Sequence, residues 1–153
     1  PQALAYHTVD DKGRPVLKVG VTATRSEGGN FLDALTEAFT HEVWETEGNP
    51  YVNRYLDHSG LIPGKPDVCR EIGDPVQGSG WRCGQTWMAN FTLPAWEDPG
   101  DVDGPYDHTG VLTKPFQCAP HGYLAFRDGT QSFGERVSAT KRASLEKYAR
   151  HKR

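Results

Sequence analysis

The sequence predicts an α+β domain in which one main helix packs on a small sheet, followed by a strand- and loop-rich C-terminal half. Three observations carry that expectation. One long stretch, Phe31 to about Glu47, repeats apolar residues at helical spacing. Shorter stretches on both sides of it alternate or are rich in β-branched residues. Seventeen Gly and eleven Pro among 153 residues cut the remainder into turns and loops.

Each element follows from its residues. "RPVLKVGVTAT", Arg14 to Thr24, is β-branched and alternating and reads as a strand, which "SEGGN" then breaks. Asn30 suits a helix N-cap, and Asp33 in the first turn complements the helix dipole. Leu32, Leu35, Phe39 and Val43 recur along one helix face, and Gly48-Asn49-Pro50 ends the helix because Pro cannot continue it. "YVNRYLDHSG" fits a second short helix or a turn, and "LIPGKPD" a loop. "GWRCGQTWMANFTLP" alternates as strands do, whereas "AWEDPGDVDGPYDHTG" is a long acidic loop. "VLTKPFQCAPHGYLAFRDG" reads as strand, turn and strand, with a hairpin turn at Asp128-Gly129. The last residues are expected to be helical or mobile. The organisation is one domain over 1–140 and a basic tail over 141–153.

Composition narrows the class. A hydrophobic fraction of 36% with 10% aromatics is lean but globular. No apolar run approaches the roughly 20 residues a membrane helix needs, and no signal peptide is visible, so no membrane partner is expected. The expected place is the cytosol or the inside of an assembled particle, unless a leader has been removed. Pro1 in place of Met leaves room for upstream residues. The net charge of −3 hides an asymmetry: residues 141–153 carry six Lys/Arg against one Glu, leaving −8 on the other 140. That tail reads first as a solvated extension, with contact to nucleic acid or an acidic neighbouring subunit as the weaker alternative. Cys69, Cys83 and Cys118 form no CxxC pair and are expected as reduced thiols. No P-loop, GxGxxG or GxSxG is present, which sets aside nucleotide binding and serine hydrolysis.

The chemistry-bearing stretch is "THEVWE", Thr40 to Glu45. His41 and Glu45 stand one helical turn apart, so their side chains can converge on one ion, and Ala34 and Ala38 leave that side open. Glu42 lies about 100° round the helix, within reach of a water on the same ion. The layout follows HExxH metallopeptidases, with a carboxylate in place of the second histidine. About 25 residues on, "EIGD" adds Glu71 and Asp74. Glu71 is taken as the third ligand and Asp74 as the group orienting His41, with the reverse assignment open. Taken alone, HExxE reads more readily as a solvated, charged helix face. Asp107-His108 reads first as a turn whose side chains satisfy the backbone, with His108 as an accessory ligand or oxyanion donor in second place. "DPGDVDG" lacks the closing Glu of a calcium loop. Tyr6-His7 is expected to pack beside the first strand rather than ligate.

"HEVWETEGNPYVNRY" followed by "EIGDP" resembles a zincin-like pattern of HExxE and then ExxD, of which exordium-like secreted plant proteins carry a distant version. The chain is more closely similar to a family of tailed-bacteriophage and prophage proteins. The resemblance rests on "ALAYH", "GRP", "EIGDPV", "NFTLPAW", "GPYDHTGVLTKPF", "HGY" and a basic C-terminal end. Asn49-Pro50 stands where Asp-Pro is more usual, and Gly73 where a Cys is often found. The resemblance implies a zincin-like metal site and a phage origin, without implying a reaction.

One neutral His and two carboxylates cancel the charge of a divalent ion. Such a site acidifies bound water less than a three-histidine zinc site does. Zn²⁺ is the expected cofactor, with Mn²⁺ or Ca²⁺ as alternatives because two of three ligands are oxygen. The expected function is a virion-associated structural protein of head, neck or tail, with other virion proteins as partners in an oligomeric assembly. The alternative is a metal-dependent peptidase or other hydrolase acting on a peptide in maturation, entry or lysis, with Glu42 as general base. The implied locations are the virion and the host cytoplasm.

Overall fold

A computed structural model of the chain describes residues 4–21, 30–100 and 102–151. Strands β1 (Ala5–Val9) and β2 (Pro15–Val19) pair antiparallel, with His7 opposite Leu17. The strand expected from Arg14 to Thr24 is therefore shorter where it is seen. Its last residues and most of the "SEGGN" break lie outside the described residues. Helix α1 spans Phe31–Gly48, and the Asn30 side chain accepts from Leu32 N and Asp33 N as the N-cap. Asn49 closes the other end.

The stretch expected as a second short helix or a turn bends at both ends and between them forms β3 (Tyr55–Leu56), paired with β4 (Val68–Cys69). The reason is the buried Asn49, whose Oδ1 accepts from Asn53 N and Arg54 N and holds the chain extended after the helix. A 3₁₀ turn covers Asp74–Val76. β5 (Trp81–Cys83) and β6 (Thr86–Met88) form a tight hairpin, and α2 (Pro94–Glu97) is a single turn at the head of the acidic loop. β7 (Tyr123–Ala125) and β8 (Gln131–Phe133) close around the Asp128-Gly129 turn. The segment 111–118 is turn and loop where a strand was expected. α3 (Ala139–His151) ends the described chain, and Lys152 and Arg153 of the basic tail lie outside it. Among the described residues, helix mixed with four two-stranded antiparallel ladders makes an α+β arrangement.

The apolar core is built from residues 68–126, where Val68, Val76, Trp96, Leu112, Phe116, Ala119, Leu124 and Phe126 cluster. The helix α1 is turned against its expected orientation. Its buried residues are Thr40, Glu42, Glu45 and Gly48, while Leu32 is 66% and Phe39 49% exposed. The side carrying His41 and Glu45 is packed rather than open, because α1 lies against β1, β2 and β6. Polar bonds fix this docking: Thr40 Oγ1 accepts from Ala89 N at 2.9 Å, and Trp44 Nε1 donates to Ala89 O at 3.1 Å. Arg82 grips Asp33 with two nitrogens, and Trp87 Nε1 donates to Glu37 at 3.0 Å.

Candidate metal centre

Three separated segments meet at the buried face of α1. The helix itself supplies His41, Glu42 and Glu45. Glycine-containing chain around the 3₁₀ turn supplies Glu71 and Asp74. The N-terminal hairpin supplies His7, which sequence spacing alone did not point to as part of the site. His41 Nε2 lies 3.1 Å from Glu45 Oε1 and 3.3 Å from Asp74 Oδ1. His7 Nδ1 lies 3.2 Å from Glu42 Oε2 and 3.4 Å from Glu45 Oε2, and its Nε2 lies 3.4 Å from Glu71 Oε2. His7 is 2% exposed, and Glu42, Glu45 and Asp74 are each buried.

Local sequence explains each placement. His41 and Glu45 meet through their one-turn spacing. Gly73 is needed beside them: a Cβ there would stand 2.7 Å from His41 Nδ1, inside van der Waals contact. Asp74 enters the site while Val76, two residues on, anchors in the apolar core, so the 3₁₀ turn ties the two regions together. The same turn is held by Ala119 N donating to Pro75 O at 2.7 Å, and the Tyr123 hydroxyl bonds Asp74 from β7. Glu71 is steadied by Asn49 Nδ2 at 3.4 Å. Arg54 and Arg70 both donate to Gly48 O at the C-terminal end of α1, where positive charge suits the helix dipole.

Electrostatics inside the cluster are strained by an excess of carboxylates. Burial alone would lower the His7 pKa, but Glu42, Glu45 and Glu71 outweigh it and raise it to about 10. His41 is likewise raised well above the ordinary imidazole range, since the Glu45 and Asp74 charges overcome burial. Burial would raise Glu45, yet His41 and then His7 hold it well below the usual carboxylate range. Asp74 moves the other way: burial first and the Glu45 charge second push it up to about 7. Tyr123 rises too, through burial and the Asp74 charge. Without a cation, His7, His41 and Asp74 keep their protons to higher pH than they would in water.

The arrangement fits a divalent ion by three criteria. Two deeply buried donor atoms, His7 Nε2 and Glu45 Oε1, make no hydrogen bond. Glu45 Oε1 is close to His41 Nε2 but not aligned with an N–H, as expected of two lone pairs facing a common point rather than each other. An unmet buried polar atom costs about 1–3 kcal/mol, which an ion would offset. Neighbouring donors on a small tetrahedral ion, with bonds of about 2.0–2.1 Å, stand roughly 3.3–3.4 Å apart. The separations of 3.1 and 3.3 Å around His41 Nε2 are close to that edge. The donor types, imidazole and carboxylate, suit Zn²⁺ or Mn²⁺.

Of the residues singled out in the sequence, His41, Glu42, Glu45, Glu71 and Asp74 are all brought together. Asp74 is the carboxylate beside His41, while Glu71 faces His7, so the two ExxD carboxylates serve different imidazoles. His108 is not with them. Its ring is exposed and stacks on Phe91 at 5.1 Å and against Trp81 at 4.3 Å. Its neighbour Asp107 is buried and accepts from Asn90 Nδ2, from Thr109 and from Val111 N and Leu112 N, as a turn-organising residue does. The three cysteines form no disulfide, and none belongs to the donor sets found among the described residues. A surface pocket lined by Leu61, Ile62, Pro99, Lys114 and Phe116 shares no residue with the cluster. No protein-family model, curated protein or solved structure matches the chain.

Proposed function

We propose that this chain is a zincin-like, metal-stapled structural component of a tailed-phage particle. His41, Glu45 and Asp74 hold a divalent cation, Zn²⁺ first, with Glu71 and His7 beside them. The observation that carries the reading is the inverted α1. Glu42 and Glu45 are buried and His41 half-buried against the N-terminal hairpin and the 71–76 segment, while Leu32 and Phe39 face outward. Burying uncompensated carboxylates costs several kcal/mol, so a cation there acts as the bond between three segments. Enclosure supports a structural ion over a hydrolytic one, because a catalytic ion keeps a position open to substrate. The particle assignment is supported by the phage-family blocks along most of the chain and by an acidic body with a basic terminal helix suited to contacts between subunits. Mass spectrometry of purified particles should find the chain at a fixed copy number, together with metal in the purified protein. Its absence from particles would overturn the assignment.

A second reading is a metal-dependent peptidase or other hydrolase. It is favoured by one observation: Glu42 reaches the same donor set as His41 and Glu45. The ion would supply Lewis-acid polarisation of a carbonyl, and Glu42 would take the proton from the attacking water. Against it, Glu42 Oε2 already accepts from His7 Nδ1. Glu42→Gln separates the two: the hydrolase reading requires loss of peptide cleavage with the His41-bound ion retained, and the structural reading expects no cleavage in either form.

A further inference from the structure

We propose that the cluster binds two divalent cations bridged by Glu45: one on His41 Nε2, Glu45 Oε1 and Asp74 Oδ1, the other on His7 Nε2, Glu71 and the second Glu45 oxygen. This rests on reading the cluster as a metal centre and goes beyond it in number and arrangement. The donors do not form one ring. They fall into two sets, His41 with Glu42 and Glu45, and His7 with Glu45 and Glu71, each with its donor atoms within 4.8 Å of one another; Asp74 joins the first only through His41 Nε2, at 3.3 Å, and completes it by closing in on the ion. Glu45 is common to both. Its two oxygens look in different directions, Oε1 towards His41 Nε2 at 3.1 Å and Oε2 towards the His7 ring, 3.4 Å from Nδ1, so a small turn of the carboxylate would let it span a pair of ions.

His7 is prepared for the second ion. A carboxylate oxygen can only accept, so the contact of Nδ1 with Glu42 Oε2 keeps a proton on Nδ1, and Nε2 is the nitrogen that would give up its proton to an ion. Nε2 is shut off from solvent, makes no hydrogen bond and points at Glu71 Oε2, 3.4 Å away. An imidazole whose far nitrogen donates to a carboxylate while the near one ligates is the usual arrangement at metal sites. Glu42 is then a positioning residue for His7. Charge agrees: Glu42, Glu45, Glu71 and Asp74 with two neutral imidazoles carry four negative charges. One divalent ion leaves two of them buried and uncompensated, and two ions leave none.

The test uses the whole chain, stripped with a chelator, reloaded with Mn²⁺ and desalted. The metal-to-chain ratio and the electron paramagnetic resonance spectrum are then read together. Two Mn²⁺ per chain with the signal of an exchange-coupled pair are expected. His7→Ala, or Glu71→Gln should that variant fail to fold, should hold one ion with the signal of an isolated Mn²⁺. A wild-type ratio of one, unchanged by either substitution, overturns the pair and leaves the single centre on His41 standing. Two ions without coupling overturn the Glu45 bridge. Failure to retain either Mn²⁺ or Zn²⁺ overturns the pair and the single centre alike.

Discussion

At the scale of single residues, the proposed ion site rests on groups beside the candidate ligands as much as on the ligands themselves. Gly73 lets the His41 ring lie flat on the backbone, so Gly73→Ala should push the imidazole aside and weaken ion binding by roughly 10–100-fold, read by metal titration. Tyr123→Phe removes the hydroxyl that holds Asp74 and should weaken binding by a similar factor of about 10–100, with the fold intact by circular dichroism. His41, Glu42 and Glu45 were legible in the sequence because a helix turns spacing into direction. Glu71 and Asp74 were legible as a pair of carboxylates downstream, although spacing alone could not tell which imidazole each would face. His7 was not legible. It lies 35 residues before Glu42, on a strand whose register against β2 decides where its ring points, and a lone histidine beside an aromatic gives no hint of that.

At the scale of elements, α1 was legible as a helix with its N-cap and its end, but its orientation was not. The stripe Leu32, Leu35, Phe39 and Val43 suggests an inward apolar face, yet Leu32 and Phe39 are exposed and Leu35 and Val43 only half-buried, because the polar bonds of the helix to β1, β5 and β6 and to the 71–76 segment outweigh the lost apolar burial. Leu32→Ser and Phe39→Ser should therefore change stability by no more than about 0.5 kcal/mol each. Val68→Ala or Phe126→Ala, in the true core, should cost several-fold more, on the order of 2–5 kcal/mol. Urea unfolding with equal slopes measures both. Short strands were the least legible elements. β3 and β4 are two residues each, too short for any period to register, and are set by Asn49 and by the bridge from Val68 to Phe126.

At the scale of the molecule, the cluster joins the N-terminal hairpin, α1 and the turn that leads into the apolar core, so its charge state should govern global stability. In ion-free protein, His7 favours folding below about pH 6.5, and that contribution is lost as pH rises through its folded value of about 10. Asp74, raised to about 7, prefers its proton in the fold, so its penalty grows as pH rises from about 4 to 7. Glu45 acts oppositely: its contribution is present above about pH 4.3 and is lost as pH falls below that. The ion-free melting temperature should thus be higher near pH 5 than near pH 9, while the gain on adding Zn²⁺ or Mn²⁺ should grow with pH as protons cease to compete. At free ion 100-fold above its dissociation constant the gain is about 2.7 kcal/mol, a rise of roughly 5–10 °C for a chain of this size. The most direct measurement of the central claim is the metal content of the purified chain after equilibration with Zn²⁺ and desalting. At least one ion per chain is predicted for the wild type and a loss of it in Glu45→Gln; a metal-free wild type, or an equal content in both, would contradict the account.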